Sequence, residues 1–133
     1  MNSINFKKYA RWLLGVIFIF AGVAHFIAPE FYLPMMPPFL PLHLELVYLS
    51  GVLEILGGVL LFVPKYTRYT GYFLIALMLA VFPANIYMAL NPDEYPDIPM
   101  LGLYARLPLQ FVLIAFIYWA TQNKLIKSAE NLN

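Results

Sequence analysis

Residues 46–63 read LVYLSGVLEILGGVLLFV, an apolar run long enough to cross a bilayer, with a carboxylate, Glu54, near its centre. At 100° per residue, small residues lie on or beside the helix face of Glu54: Ser50, Gly51, Gly57 and Gly58. A charged group at this depth costs several kcal/mol unless it meets another helix or water, and small neighbours let a second backbone approach. We therefore expect Glu54 to point into a helical bundle.

The composition is that of an integral membrane protein. Of 133 residues, 62% are hydrophobic and 11% are charged, which is too little polar surface to cover a soluble globule of this size. The formal net charge is only +1, but the charges are unevenly distributed along the chain. There are no cysteines, so thiolate nucleophiles, iron–sulfur clusters and cysteine-based metal sites are excluded.

Hydropathy and proline positions predict one all-α domain over residues 1–133, an antiparallel bundle of four transmembrane helices. The predicted helices cover about 9–28, 42–63, 69–90 and 102–121. A cleaved signal peptide is the alternative for the first, because basic residues precede its apolar core, but we expect a retained helix. Pro83 lies inside the third helix and predicts a kink or a water-filled defect.

The connections differ in composition. Residues 29–41 contain too many prolines for a regular helix and too few polar groups for a solvated loop, so we expect them at the membrane interface. There they either cover the outer mouth of the bundle or serve as a plain interfacial anchor. Residues 64–68 form a short basic turn, which predicts that helices 2 and 3 are antiparallel neighbours, whereas residues 91–99 are acidic and rich in proline.

Charge asymmetry predicts the orientation. Seven of the eight Lys and Arg residues fall at one side of the membrane and four acids fall at the other: Lys7, Lys8, Arg11, Lys65, Arg68, Lys124 and Lys127 against Glu30, Asp93, Glu94 and Asp97. Both termini are therefore expected in the cytoplasm of a multi-pass cell-membrane protein, with a bacterial inner membrane as the expected location. Trp12 and Trp119 fall at the same basic interface.

The intramembrane polar side chains gather in the outer half of this topology. His25, Asn85, Arg106 and Gln110 fall in the outer half, with Glu54 near mid-depth. Arg106 breaks the charge asymmetry and needs an internal anion, which is Glu54 or Glu45, two acids about 180° apart on one helix. We favour Glu54, reached directly or through Gln110 or water, because its helix face carries the small residues. Such a pair serves a ligand site or only fixes helix register.

His25 has several roles open to it: half of an acid–base pair, one ligand of a metal, or a hydrogen-bond partner of Asn85, a carbonyl or interfacial water. With one intramembrane histidine and no cysteine, we expect no metal site. The sequence contains no Gly-rich phosphate loop, nucleophile elbow or basic aromatic groove, so we expect no nucleotide chemistry and no nucleic-acid partner.

Three segments resemble the DoxX family of small four-helix membrane proteins: AGVAHF at 21–26, SGVLEILGG at 50–58 and VFPAN at 81–85. The glycine–glutamate–glycine pattern around Glu54 is the most specific of these likenesses. The resemblance implies architecture more firmly than activity, because proteins called DoxX-like include subunits associated with quinone-linked oxidation and a distant receptor-assembly chaperone in animals. Thiol redox work in that family requires cysteines, which this chain does not contain.

Two functions are therefore expected as alternatives. In the first, a non-enzymatic membrane protein binds an apolar small molecule or a membrane partner in an outer-half pocket, with the five intramembrane polar residues at its polar end. In the second, a membrane oxidoreductase subunit docks a quinone, the one cofactor considered, and passes protons through His25 and Glu54. The lipid bilayer is a partner in both cases, and both are compatible with a homo-oligomer.

Overall fold

The computed structural model describes residues 3–122, which contain helices and turns and no strand. Five α-helices follow one another: α1 (Ser3–Ile27), α2 (Pro29–Tyr32), α3 (His43–Leu60), α4 (Thr67–Leu90) and α5 (Met100–Thr121). Short 3-10 turns occupy Leu33–Met35, Pro64–Tyr66 and Pro92–Glu94. The C-terminal tail with Lys124 and Lys127, which contributed to the predicted orientation, lies outside the described residues.

Four of these helices are long and apolar enough to cross a membrane. The spans are Asn5–Ile27, His43–Leu60, Pro64–Leu90 and Met100–Thr121, with mean hydropathies from 1.5 to 2.1. Large apolar side chains remain exposed on them, including Phe20 (72% exposed) and Leu101 (80%). Surfaces of this kind are stable in lipid, where a helix satisfies its own backbone groups. The prediction of an all-helical, multi-pass membrane protein with four spans is confirmed.

Several boundaries differ from the prediction. Helix α1 begins at Ser3 rather than near Tyr9, and α3 ends at Leu60 rather than Val63. The connection at 29–41, expected to lack helix, contains one helical turn, α2, because Pro29 occupies a first helical position where the missing N–H is not needed. Helix α4 continues through Pro83 without a break in its helical assignment.

The helices pack as two close pairs. Helix α1 packs most extensively against α3, and α4 against α5, while the contacts of α1 with α5 and of α3 with α4 are smaller. Between α1 and α3 the backbones touch at two glycine pairs, Gly22 with Gly51 and Gly15 with Gly58. A Cβ on Gly22 would lie 2.5 Å from the Gly51 carbonyl oxygen, and one on Gly58 would lie 2.7 Å from that of Gly15.

Two separate clusters of buried apolar side chains fill the bundle. The first cluster is formed by Leu14, Phe18, Leu61, Leu74, Leu77, Met78, Ile117 and Ala120. The second is formed by Met88, Tyr95 and Leu103, with Met35, Tyr87 and Ile98 packed against it. Helix α4 contributes to both, through Met78 in the first and Met88 in the second, so the space between the clusters lies beside the part of α4 between these two methionines.

Candidate ligand-binding site

A cavity of about 410 Å³ lies between the two apolar clusters. It is lined by side chains of α1, α3, α4, α5 and the connection between α1 and α3: His25, Tyr32, Met35, Met36, Val47, Ser50, Glu54, Met78, Val81, Ala84, Asn85, Met88, Arg106, Leu109, Gln110 and Leu113. A volume of this size is within the range of small-molecule sites in proteins.

All five residues that the sequence singled out line this cavity. Helix α1 contributes His25, α3 contributes Glu54, α4 contributes Asn85, and α5 contributes Arg106 and Gln110. Most of the remaining lining is apolar and includes four methionines, whose flexible side chains adapt to irregular shapes. The cavity therefore has a few polar groups on an apolar wall, the usual chemistry of a small-molecule site.

His25 and Glu54 form the one close contact between a basic and an acidic side chain found among residues 3–122; it is an ion pair only when the imidazole is protonated. Nε2 of His25 lies 3.4 Å from Oε2 of Glu54, and both side chains are nearly buried. Nδ1 of His25 lies 2.9 Å from the carbonyl oxygen of Val47, and because a carbonyl only accepts, Nδ1 is the donor. Nε2 therefore carries a proton only when the ring is the imidazolium ion. The contact with Glu54 is not a hydrogen bond, since Oε2 has no hydrogen-bond partner among the described residues.

Tyr32 of α2 covers this pair from outside the membrane span. Its ring centroid lies 4.1 Å from that of His25, with the planes tilted by 50°. Burial, and then the negative charge of Glu54, raise the pKa of the Tyr32 hydroxyl. The connection at 29–41 thus packs over the cavity, while Phe31 (61% exposed) and Phe39 (67%) on the same connection stay at its surface. The segment thus covers the cavity, and its role as an interfacial anchor stays a prediction.

Asn85 and Gln110 cross-link α4 to α5. Nδ2 of Asn85 donates to Oε1 of Gln110, and Nε2 of Gln110 donates to the carbonyl oxygen of Met78. Gln110 is only 6% exposed, so these bonds satisfy its amide inside the bundle. Met78 immediately precedes Leu79, whose carbonyl has no helical partner because Pro83 lacks an N–H. The carbonyl group that Pro83 leaves without a helical partner is thus next in sequence to the one that Gln110 binds. Because the Gln110 amide is bonded to Asn85 and Met78, it does not bridge Arg106 to Glu54, as the sequence suggested it could.

The expected direct ion pair between Arg106 and Glu54 is not formed. Nη1 of Arg106 donates to Sδ of Met35 at 3.8 Å, and within the described chain it has no carboxylate partner. The base that lies opposite Glu54 is His25, beside the contact of Gly22 with Gly51 between α1 and α3. Glu45, the other candidate, is exposed on the first turn of α3 and does not line the cavity. A water bridge between Arg106 and Glu54 stays a prediction.

Comparison with known families gives one match, over residues 14–122. The chain belongs to DUF8561, a family described as a domain of unknown function. No curated protein and no solved structure matches the chain. The matched residues contain the five polar residues of the cavity and both glycine pairs between α1 and α3, so the family assignment covers the whole site.

Sequence reasoning missed several groups in the site of this DUF8561 chain. The carbonyl oxygens of Val47 and Met78 carry no residue-type signal, because any backbone carbonyl can accept. Tyr32 and Met35 lie in the connection at 29–41, and their aromatic and thioether side chains indicated only an interfacial segment. The tight turn at Pro29, together with an aromatic residue three positions later, is the signal that could have placed Tyr32 against the end of α1.

Proposed function

We propose that this protein binds an amphiphilic small molecule, apolar with one polar end, in the cavity between its four long helices, and that it is not an enzyme. The observation that carries the proposal is that five polar side chains from four helices converge on a cavity of about 410 Å³ with an otherwise mainly apolar wall. Polar residues within a membrane span are costly, and they usually mark a pathway or a binding site.

The state of the polar groups argues against a purely structural role. Of the five polar side chains, only Asn85 and Gln110 are hydrogen-bonded to each other, as is typical of polar residues that serve helix packing alone. Arg106 contacts a thioether, which is a weak acceptor, and Oε2 of Glu54 receives no hydrogen bond from residues 3–122. A bound molecule with an acceptor near Arg106 and a donor near Glu54 would satisfy both groups. Its apolar part would lie on the methionines, among them Met78 and Met88.

We also propose an antiparallel bundle with both termini in the cytoplasm. The register of the glycine pairs supports it, because Gly15 lies opposite Gly58 while Gly22 lies opposite Gly51, so the two helices run in opposite directions. The asymmetry of lysine and arginine supports the orientation. Reporter fusions within residues 93–97 test it, and a cytoplasmic signal from that acidic segment would contradict it. A bacterial inner membrane is the location we propose.

Kinship with the DoxX family is proposed on the same residues. The glycine–glutamate–glycine pattern that carries the likeness contains Gly51 and Gly58, which bring α3 against α1, and Glu54, which contacts His25. The pattern therefore has a physical use in this chain: close backbone approach on either side of a buried acid.

The test is native mass spectrometry of the protein extracted in mild detergent, with a matched pair of variants. Ala84→Leu adds bulk to the cavity lining, whereas Ala80→Leu makes the same change one turn earlier on an exposed part of α4. We expect the wild type and Ala80→Leu to retain a small molecule and Ala84→Leu to lose it. A wild type without any bound molecule, or equal retention by both variants, would contradict the proposal. A retained protein or second copy of the chain instead would identify a membrane partner.

A quinone-linked oxidoreductase subunit is the second candidate, favoured by the contact between His25 and Glu54. Its two titratable groups lie at the cavity wall, and Tyr32 covers them, which is an arrangement suited to passing protons to a bound quinone. Electrons would come from a partner enzyme. Co-purified quinone and a partner-dependent quinone reduction lost in His25→Gln and Glu54→Gln would favour this candidate. A colourless ligand without redox activity would exclude it.

A further inference from the structure

A second cavity, of about 380 Å³, lies at the opposite end of the bundle. Its walls come from the first turns of α1 and from the connection between α3 and α4: Lys8, Arg11, Trp12, Leu61, Phe62, Pro64 and Thr67. Among residues 3–122, none lines both this cavity and the candidate ligand-binding site. We call it the basic cavity.

The charge around the basic cavity is entirely positive within the described part of the chain. Lys8 and Arg11 line it, Lys7 directly precedes Lys8, and Lys65 and Arg68 directly follow the lining residues Pro64 and Thr67 in sequence. None of the described acids lines it; they occur instead in the middle of α3, in its first turn and in the two connections at the other end. An anion at this place would meet two cations and no competing carboxylate from the described lining.

Arg11 is held in position by α5. Its Nη1 donates to the carbonyl oxygen of Ala120 at 3.1 Å, and the side chain is half-buried. Guanidinium has five N–H donors in a fixed plane, so one bond to a carbonyl fixes the plane and leaves others for a second acceptor. A pre-oriented arginine of this kind binds a phosphate group more readily than a mobile one.

The opposite wall of the basic cavity is aromatic and apolar. The ring of Trp12 stacks on Phe62 with centroids 6.3 Å apart and planes 28° apart, and Nζ of Lys8 lies 4.9 Å from the centroid of Trp12. Tryptophan and lysine side by side are typical of the level of the lipid headgroups. Thr67 is the first residue of α4, so the positive end of that helix dipole adds to the field.

We propose that the basic cavity binds an anionic phospholipid, with the phosphodiester group at Lys8 and Arg11 and the first part of an acyl chain against Trp12 and Phe62. The shared chemistry of lipid and free phosphate is the charged phosphoryl oxygens, which the two cations bind. The apolar wall favours the lipid, because inorganic phosphate has nothing to bury there. This proposal does not depend on the ligand of the other cavity.

The experiment measures lipid adducts by native mass spectrometry in a nonionic detergent, with added phosphatidylglycerol, phosphatidylcholine or inorganic phosphate. We expect phosphatidylglycerol to bind several-fold more tightly than phosphatidylcholine, and millimolar phosphate to leave the adduct in place. Equal binding of the two lipids would overturn the proposal. Displacement of the lipid by phosphate would also overturn it, since it would show a site for the free anion.

Two pairs of substitutions locate the site. Lys8→Gln with Arg11→Gln removes both cations of the basic cavity, and Lys7→Gln with Lys65→Gln removes the same charge from the same end outside it. We expect the first pair of substitutions to weaken phosphatidylglycerol binding roughly 30-fold, since each cation contributes about fivefold and the two bind one phosphate group together. We expect the second pair to change this binding less than about threefold. Equal losses would show a response to total charge alone and would overturn the proposal.

The single variant Lys8→Gln is the control for a folding defect. It is needed because Arg11→Gln also removes the hydrogen bond to the Ala120 carbonyl oxygen and can lower stability by itself. The Lys8 side chain is exposed and its loss leaves the bundle contacts in place. We expect the thermal midpoint of Lys8→Gln to match that of the wild type and its phosphatidylglycerol binding to be about fivefold weaker. Unchanged lipid binding in this folded variant would overturn the proposal.

Discussion

Gly22→Ala is the change that tests the backbone contact between α1 and α3. A Cβ at this position would lie 2.5 Å from the carbonyl oxygen of Gly51 and 2.6 Å from Cγ1 of Ile55. Ordinary contact begins near 3.4 Å, so relief of the clash with the carbonyl requires a shift of about 0.9 Å. The obstacle includes backbone, which a change of rotamer cannot move, so α1 and α3 must separate.

The cost follows from this separation. A radial gap of 0.5–1 Å forfeits roughly a quarter to a half of the dispersion energy of the contacts that open. Overpacking of a well-filled interior costs about 1–3 kcal/mol, and alanine gains back up to about 1 kcal/mol over glycine in helix propensity. With the full propensity gain subtracted, we therefore expect a net destabilisation of about 0–2 kcal/mol for Gly22→Ala, where the unopposed propensity gain would be stabilising. The separation also moves His25 away from Glu54, so ligand retention should fall with stability.

Gly102→Ala is the matched control, because it makes the same change in α5, where a Cβ would meet nothing closer than 3.5 Å. We expect it to be neutral or to stabilise the protein by up to about 1 kcal/mol through helix propensity. The measurement is the unfolding free energy in one detergent for the wild type and both variants. Equal stability of Gly22→Ala and Gly102→Ala would refute the backbone contact as a source of stability.

Three further outcomes are expected. In a cycle of His25→Gln and Glu54→Gln, unfolding free energies should be non-additive by about 0.5–3 kcal/mol, whereas additive losses would mean that the two side chains do not interact. Gln110→Leu should destabilise the protein by about 1–3 kcal/mol, because it removes the bonds between α4 and α5; an unchanged midpoint would show that water replaces them. Burial raises the pKa of Tyr32 and Tyr95 above the ordinary value of 10.0, with the charges of neighbouring acids adding to it. The unfolded chain therefore loses these protons at a lower pH than the folded chain does. The stability that the two tyrosines contribute should be fully present below about pH 10 and be lost as the pH rises above it, and the loss should be smaller in the double variant Tyr32→Phe with Tyr95→Phe.

The number of spans and the residues of the site were predictable from sequence for a physical reason. A helix in lipid must be about 20 residues long and apolar, and its few polar groups must face inward, so length and polarity together identify both. That is why His25, Glu54, Asn85, Arg106 and Gln110 all line one cavity.

The pairing within the site was not predictable in the same way. Which acid meets which base depends on the register of one helix against another, and here the register is set by two glycine contacts. The depth of Arg106 in its helix allowed a contact with Glu54. In the structure its guanidinium group instead contacts Met35, on the connection between α1 and α3. The start of α1 was placed too late because Lys7 and Lys8 read as a polar tail. In the structure both residues are helical, and their ammonium groups lie over the rings of Trp119 and Trp12.

The two helix pairs explain why the polar groups and the cavity occur together. Helices α1 and α3 are in backbone contact at glycines, and α4 and α5 are joined through Gln110, so each pair is closely packed. The contacts between the pairs are less extensive, and the cavity lies where all four helices meet. The polar side chains that join the two helices of each pair, His25 with Glu54 and Asn85 with Gln110, also line this junction, where they meet a space large enough for a partner that is not part of the chain. Loosely packed regions open at the lowest free-energy cost, so the junction is also where the proposed ligand would enter with the least disturbance of the pairs. A ligand that touches both pairs would stabilise the whole bundle, and by more the more tightly it binds.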